Sequence, residues 1–259
     1  MGERNNRPME ITRPPFQGVW NILHFNWHFF VLAGLGIGIA LLGNGLFPVA
    51  WQGWVFWGGI LGAATTLASL LVSYYIYDVS DLYEFNWLAL PAQQKLLNIN
   101  AGFDETSALL QQKYHPQELV VADFYDPVLH TEVSIQRARK AFPPSASTLV
   151  VNSQQLPFVS HSFDTVFCIL AAHEIRNSAE RIQFFKELAR VTQPKGQIIV
   201  TEHIRDWKNF LAYTFGFFHF HSKPTWLATF EGANLTLEQE IKTTPFISTF
   251  ILTTHGNSL

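Results

Sequence analysis

Two long apolar runs dominate the first third of the chain, residues 28–47 and 54–77, joined by Pro48-Val-Ala-Trp-Gln-Gly53. No Asp, Glu, Lys or Arg lies between Arg13 and Asp78. Each run holds about 20 residues or more, and a helix of that length crosses a hydrocarbon core of about 30 Å. The pattern predicts an N-terminal tail over 1–27 and a two-helix transmembrane hairpin over 28–79. A cleaved signal peptide fits poorly, because the first run is longer than the usual apolar region and a second run follows it. The core hairpin of a soluble domain is opposed by the placement of aromatics. Trp20 and Trp27 precede the first run, Trp51, Trp54 and Trp57 surround the turn, and Tyr74, Tyr75 and Tyr77 close the second. Trp and Tyr favour the two membrane interfaces.

Small residues in both runs predict close helix packing. Gly34-x-x-x-Gly38 has the spacing that lets two backbones approach. A hairpin leaves both chain ends on one side. Arg4, Arg7 and Arg13 precede the first run and the turn has no positive charge, which predicts a cytoplasmic N-terminus and a cytoplasmic domain after residue 80.

From residue 82 onward the pattern changes to short apolar strands alternating with helical segments. Strands are predicted at 95–100, 118–123, 148–152, 163–170 and 197–202, with helices at 105–114, 131–141 and 178–191. Residues 235–241 and 246–253 read as two closing strands. Such alternation predicts an α/β fold, a mostly parallel sheet with helices on both faces. Ligands bind such sheets beyond the carboxyl ends of the strands.

Composition narrows the classes. Only 14% of the 259 residues are charged, against roughly 25% in an average soluble protein, and the deficit lies in the apolar runs. A net charge of -3 gives no basic footprint for nucleic acid. The single cysteine, Cys168, excludes an internal disulfide and falls in an apolar strand, where it reads as core.

The run Leu149-Val-Val-Asn-Ser-Gln-Gln-Leu-Pro-Phe-Val-Ser-His-Ser-Phe-Asp164-Thr-Val-Phe, followed by Arg181-Ile-Gln-Phe-Phe-Lys-Glu-Leu-Ala-Arg-Val-Thr-Gln-Pro-Lys-Gly196-Gln-Ile-Ile-Val, resembles the class I methyltransferases that use S-adenosylmethionine. Within them it looks closest to the ubiquinone/menaquinone-type enzymes. The resemblance implies a Rossmann-like sheet over about residues 80–259, with Pro194-Lys-Gly196 turning a helix into a strand. It also implies a cofactor site on the loop Asn98-Ile-Asn100-Ala-Gly102-Phe-Asp104. There the family's first-strand acid is replaced by Asn98, and its outer glycines by Asn100 and Asp104. Asn and Asp tolerate left-handed backbone but do not admit a ligand as closely as glycine. Asp123, at the end of the second strand, is placed to accept ribose hydroxyls, with Asp126 as the alternative. Asn152 and Ser153 fall near the adenine position.

Two clusters fall at neighbouring strand ends, Ala171-Ala-His173-Glu174-Ile-Arg176 and Glu202-His203-Ile-Arg205-Asp206. Methyl transfer needs alignment and, for a hydroxyl or acidic carbon, a base. His173 and His203 are the candidate bases, with Glu174 or Glu202 to orient them. No metal site is assigned: His219-x-His221 with His173 and His203 lacks a fixed third ligand type. The aromatic segment 207–220 reads as the wall of an apolar acceptor site or as a core helix. The sequence thus predicts a membrane-bound methyltransferase acting on a hydrophobic or lipid-borne small molecule, with the bilayer and a partner enzyme at the membrane as partners. The alternative is a membrane scaffold protein of the same fold without catalysis.

Overall fold

The computed structural model describes residues 13–254. Arg4 and Arg7 lie outside them. Three helices come first: α1 (Gln17–Phe25), α2 (Trp27–Leu42) and α3 (Val49–Tyr74). The first apolar run forms α2, a helix of 16 residues ending at Leu42. Asn26 leaves helical geometry at φ -114° and ψ 18°, and α1 and α2 meet there at 78°. Among the described residues, only the helix over Val49–Tyr83 is by itself long and apolar enough to span a membrane; α1 and α2 reach that length only as the bent pair. The second predicted span is thus a helix long enough to cross a membrane, and the first is so only together with α1. Nor do Gly34 and Gly38 mediate helix contact, because a Cβ at either would meet nothing within 4 Å. The close approach is at Gly59 of α3, where a Cβ would lie 2.9 Å from the Ala40 Cβ of α2.

The stretch read as a tail contains α1, which docks on the following domain. Its first amides, Gly18 and Val19, donate to the Asp78 carboxylate at 2.7 and 2.8 Å, satisfying donors that a helix start leaves unpaired. Asn21 donates to Glu105 at 3.1 Å. Phe25 packs edge-on against Phe103 and Phe142. After α3 the helix widens into a π-turn, Tyr75–Val79.

The domain is a seven-stranded sheet. In chain order come β1 (Lys95–Asn100), α4 (Ser107–Tyr114), β2 (Glu118–Asp123), α5 (Val133–Ala141), β3 (Leu149–Val150), β4 (Phe163–Ile169), α6 (Ser178–Val191) and β5 (Thr192–His203). They are followed by α7 (Trp207–Tyr213), α8 (Lys223–Gly232), β6 (Leu235–Thr244) and β7 (Ile247–Thr254). The strand order is β3-β2-β1-β4-β5-β7-β6, with β7 antiparallel to both neighbours. Alternate strand residues face opposite layers. Leu97, Ile99, Val166, Cys168, Ile198 and Val200 pack with Phe184, Phe185 and Trp226 of α6 and α8. Leu96, Phe167, Ile169 and Ile199 pack on the other face with Phe85 and Leu110. Cys168 is fully buried, as the apolar strand predicted.

Local chemistry sets the element ends. The Asn177 side chain accepts from the Ala179 and Glu180 amides and starts α6. Asp164 accepts from the Lys95 amide at 2.8 Å and ties the start of β4 to β1. Pro194-Lys-Gly196 is not a separate turn: it lies within β5, where β4 pairing jumps from Phe163↔Thr192 to Thr165↔Gln197. Gly196 does not have positive φ. Its requirement is space, since a Cβ would sit 2.6 Å from the Asp164 carbonyl oxygen.

Candidate active site

The parallel register sets Asn100 beside Asp123, and Asp123 beside Val150, at the carboxyl ends of β1, β2 and β3. The loop after β1 is held by its own side chains. Asn98, 1% exposed, donates to the Thr106 and Ser107 hydroxyls at 2.9 and 2.8 Å. Asp104 accepts from the Thr106 and Ser107 amides and so opens α4. Both residues shape the loop and are already engaged. Gly102 has φ +97°, and a Cβ there would lie 3.0 Å from the Tyr125 side chain, so glycine is required on both counts.

Asn100 accepts from the Gly102 amide at 3.0 Å, while its Nδ2 is buried without a partner. An unpaired buried donor costs roughly 1–3 kcal/mol, which a ligand oxygen would recover. Asp123, 1% exposed, accepts from the Tyr125 amide at 2.8 Å and pairs with Arg139 of α5. Each of its oxygens keeps a free lone pair. These residues fit a nucleoside cofactor once Arg139 yields room. Asp126, the alternative, accepts from the Val128 amide and holds a turn. Asn152 is exposed and accepts from the Gln154 amide within a turn. Ser153 donates to Glu180 at 2.7 Å. The structure gives both of them local structural partners.

The candidate catalytic residues border a cavity of about 900 Å³. His173, Glu174, His203 and Arg176 line it from the domain. Phe29, Phe30, Ala33, Thr65, Thr66 and Ser69 line it from α2 and α3, and α1 closes a third side. The 3-10 turn Ala172–Glu174 after β4 presents His173 and Glu174. Fully buried Glu202, from β5, accepts from the His173 Nδ1 at 2.7 Å and its backbone amide at 3.2 Å. Burial alone would lower the His173 pKa. The Glu202 charge and bonds to Glu174 and Glu202 outweigh it and raise the pKa to about 10. Burial would raise the Glu174 pKa, but its bond to His173 and the surrounding cations bring it down to about 2. His173 thus lies between two carboxylates that favour its protonated form.

His203 is the opposite case. Burial is the main cause lowering its pKa to about 3, assisted by the charges of His173 and His219 and opposed by a bond to Asn209. Asn209 donates to the carbonyls of Ile204 and Phe246 at 2.9 and 3.0 Å. That fixes its Oδ1 as acceptor for the His203 Nδ1–H at 3.1 Å. The Nε2 lone pair then accepts from the Tyr77 hydroxyl at 2.7 Å. Asn209 thus orients His203, the task the sequence reading gave to Glu174 or Glu202. Tyr77, in the π-turn, was read only as an interfacial aromatic; π-turns occur frequently at functional sites.

The His-x-His pair divides. His219 faces the cavity, with its Nδ1 2.6 Å from Glu132. His221 lies beside Arg181 and against Trp226. Arg176 pairs with Glu132 at 3.2 Å. Tyr213, Phe215, Phe218 and Phe220 of the aromatic segment line the cavity, and the Phe220 ring stacks on His203 at 4.5 Å. The segment forms a cavity wall.

Comparison with known proteins follows the same lines. A family profile described as a methyltransferase domain matches residues 97–200. The Ubiquinone/menaquinone biosynthesis C-methyltransferase UbiE of Pasteurella multocida is 22% identical over 60% of this chain and 56% of its own length. The protein of that name from Yersinia enterocolitica is 23% identical over 63% and 64%. The chain thus spans less than two thirds of these relatives. The crystal structure of a SAM dependent methyltransferase from Aquifex aeolicus aligns with TM-score 0.50 and 12% identity over 73% of this chain and 97% of that one, a likeness of fold. Residues 97–200 are thus similar to a methyltransferase domain, within a fold shared with that SAM dependent methyltransferase.

Proposed function

We propose, with the class I methyltransferase domain as the premise, that this chain is a membrane-anchored enzyme that methylates an apolar small molecule carrying a hydroxyl or acidic carbon. The observation that carries the reading is the shared cavity, with α1–α3 on one side and the strand-end residues His173, Glu174 and His203 on the other. Apolar surface continues outward from it. Leu32, Leu35 and Ile39 of α2, Trp54, Trp57 and Leu61 of α3, and Trp207, Phe215 and Phe218 are all exposed. A patch of that extent marks a protein or membrane contact. A bilayer around α2 and α3 accounts for it and delivers an apolar acceptor to the cavity mouth. The domain side is assigned to the cytoplasm.

Asp123, Asn100 and Gly102 would hold S-adenosylmethionine, which when bound supplies an electrophilic methyl group. The aromatic wall Tyr213–Phe220 orients the acceptor and excludes water. The acceptor's proton passes to the Tyr77 oxygen as the Tyr77 proton moves to His203 Nε2. Asn209 and the stacked Phe220 keep the imidazole in place, and its Nε2 lone pair faces the Tyr77 hydroxyl. A second reading, a non-catalytic binding protein, is favoured by the Arg139 ion pair with Asp123.

Isothermal titration of the full chain in detergent with S-adenosylmethionine and its demethylated product separates the two. The enzyme reading expects saturable binding, and methyl transfer into a membrane-lipid extract that falls at least 100-fold in Tyr77→Phe and His203→Gln. No binding at millimolar cofactor would rule the enzyme out.

A further inference from the structure

We infer that His173, Glu174 and His219 form a binding site for one divalent transition-metal ion of the zinc or iron(II) kind. One ligand atom from each lies within 4.8 Å of the other two. His173 Nε2 is 3.5 Å and His219 Nε2 3.9 Å from the Glu174 Oε1. Bonds of about 2.0–2.1 Å in a tetrahedral site set ligand atoms roughly 3.3 Å apart; the His173–Glu174 pair is already near that spacing, the His219–Glu174 pair would contract by about half an ångström, and the two imidazoles would close from within 4.8 Å. Two imidazoles and one carboxylate suit zinc, and with open positions iron(II).

The surroundings argue for more than an ion-pair network. A metal-bound histidine usually commits its second nitrogen to a carboxylate or carbonyl, which fixes the tautomer and aims the other nitrogen at the ion. His173 has that arrangement, and at His219 the Nδ1 lies beside both Glu132 and the Arg176 guanidinium, which must leave that nitrogen for the arrangement to form. Glu202 is 2.7 Å from the His173 Nδ1, and Glu132 is 2.6 Å from the His219 Nδ1. The five residues come from four places in the fold: the segment before α5, the turn after β4, the end of β5 and the segment after α7. Charge counting agrees. Glu132, Glu174 and Glu202 carry three negative charges, and Arg176 one positive. A divalent ion, binding to two neutral imidazoles, completes the balance. Arg176 lies on the outer side, 3.2 Å from Glu132, with 39% of its side chain exposed. It also approaches His219 Nε2 at 3.3 Å and swings toward Glu132 and solvent as the ion enters. All three ligands border the cavity, so a coordination position is left facing it for water or an acceptor oxygen.

The inference does not depend on methyl transfer, and its test reads metal alone. The full chain in detergent is stripped with a chelator, then titrated with Zn²⁺, with Co²⁺ as a spectroscopic probe, and anaerobically with Fe²⁺. The expected result is one ion per chain, retained through desalting, and an intense visible Co²⁺ band of a four-coordinate site. Glu174→Gln and His219→Ala, with unchanged circular dichroism, lose the retained ion. Glu132→Gln and Glu202→Gln weaken binding by about 10- to 100-fold, and exposed His115→Ala leaves it unchanged. Less than stoichiometric binding of all three ions, or equal binding by wild type and Glu174→Gln, overturns the inference.

Discussion

Replacing His203 by Gln should remove a specific part of the acid sensitivity of this protein. The ordinary histidine pKa of 6.5 falls to about 3 at His203, because burial penalises the charged ring. A group held neutral in the fold contributes stability above its unfolded pKa and loses it as pH falls below that value. The unfolded chain takes up a proton at 6.5 and the folded chain only near 3. Each pH unit in that window costs about 1.4 kcal/mol. Between pH 7 and pH 5 the wild type should lose about 2 kcal/mol from this group alone. His203→Gln has no such group, and its amide keeps a polar partner near Tyr77 and Asn209. The two proteins are unfolded by denaturant in detergent at pH 7, 6 and 5, and the difference in unfolding free energy is plotted against pH. His219 and His221, whose pKa values are also lowered, are present in both and drop out of the difference. The expected gap narrows by about 2 kcal/mol from pH 7 to pH 5. Parallel curves would show that His203 is not held neutral and would remove it as the proton acceptor.

Asp123→Ala should weaken S-adenosylmethionine by at least about tenfold, the scale of a lost hydrogen bond to a charged group. Arg139→Ala should tighten it by freeing that carboxylate; calorimetry measures both. Gly196→Ala should lower unfolding free energy by about 1–3 kcal/mol through overpacking against the Asp164 carbonyl, read by denaturant titration. Gly59→Leu should reduce thermal stability in detergent because α2 lies against it, and Gly34→Leu should not.

The sheet was legible because its strands are buried runs between turn residues. Strand 95–100 and helix 178–191 have the bounds read from sequence, the latter because Asn177 caps it. The bend at Asn26 lies just before the first apolar run, among His24, Asn26 and His28, where no proline or glycine marks a break. The site was legible as a set of strand-end residues but not as partnerships. Glu202 turns to His173, Asn209 to His203, Glu132 to His219 and Arg139 to Asp123. The Asp123, His173 and His219 pairings join separate elements and arise only on folding; the nearer His203–Asn209 pair depends on a turn the sequence did not specify. Asn98 and Asp104 were read toward the cofactor because of their position, yet their short polar side chains close on the local backbone and hydroxyls. Gly196 was read as a conformational device; it serves to let two strands approach.

The charge-free stretch is bracketed by two anchored charges. Arg13, before it, pairs with Glu105 at 3.1 Å and stacks over Tyr83. Asp78, after it, holds the first turn of α1. The apolar helices therefore leave and rejoin the domain through clamps, not a swinging tether. An acceptor diffusing in the plane of a membrane would meet a cavity mouth of fixed height and heading. Its capture then becomes a two-dimensional search ending at one bearing, and lengthening the chain on either side of a clamp would slow the enzyme without touching a single group that handles the methyl.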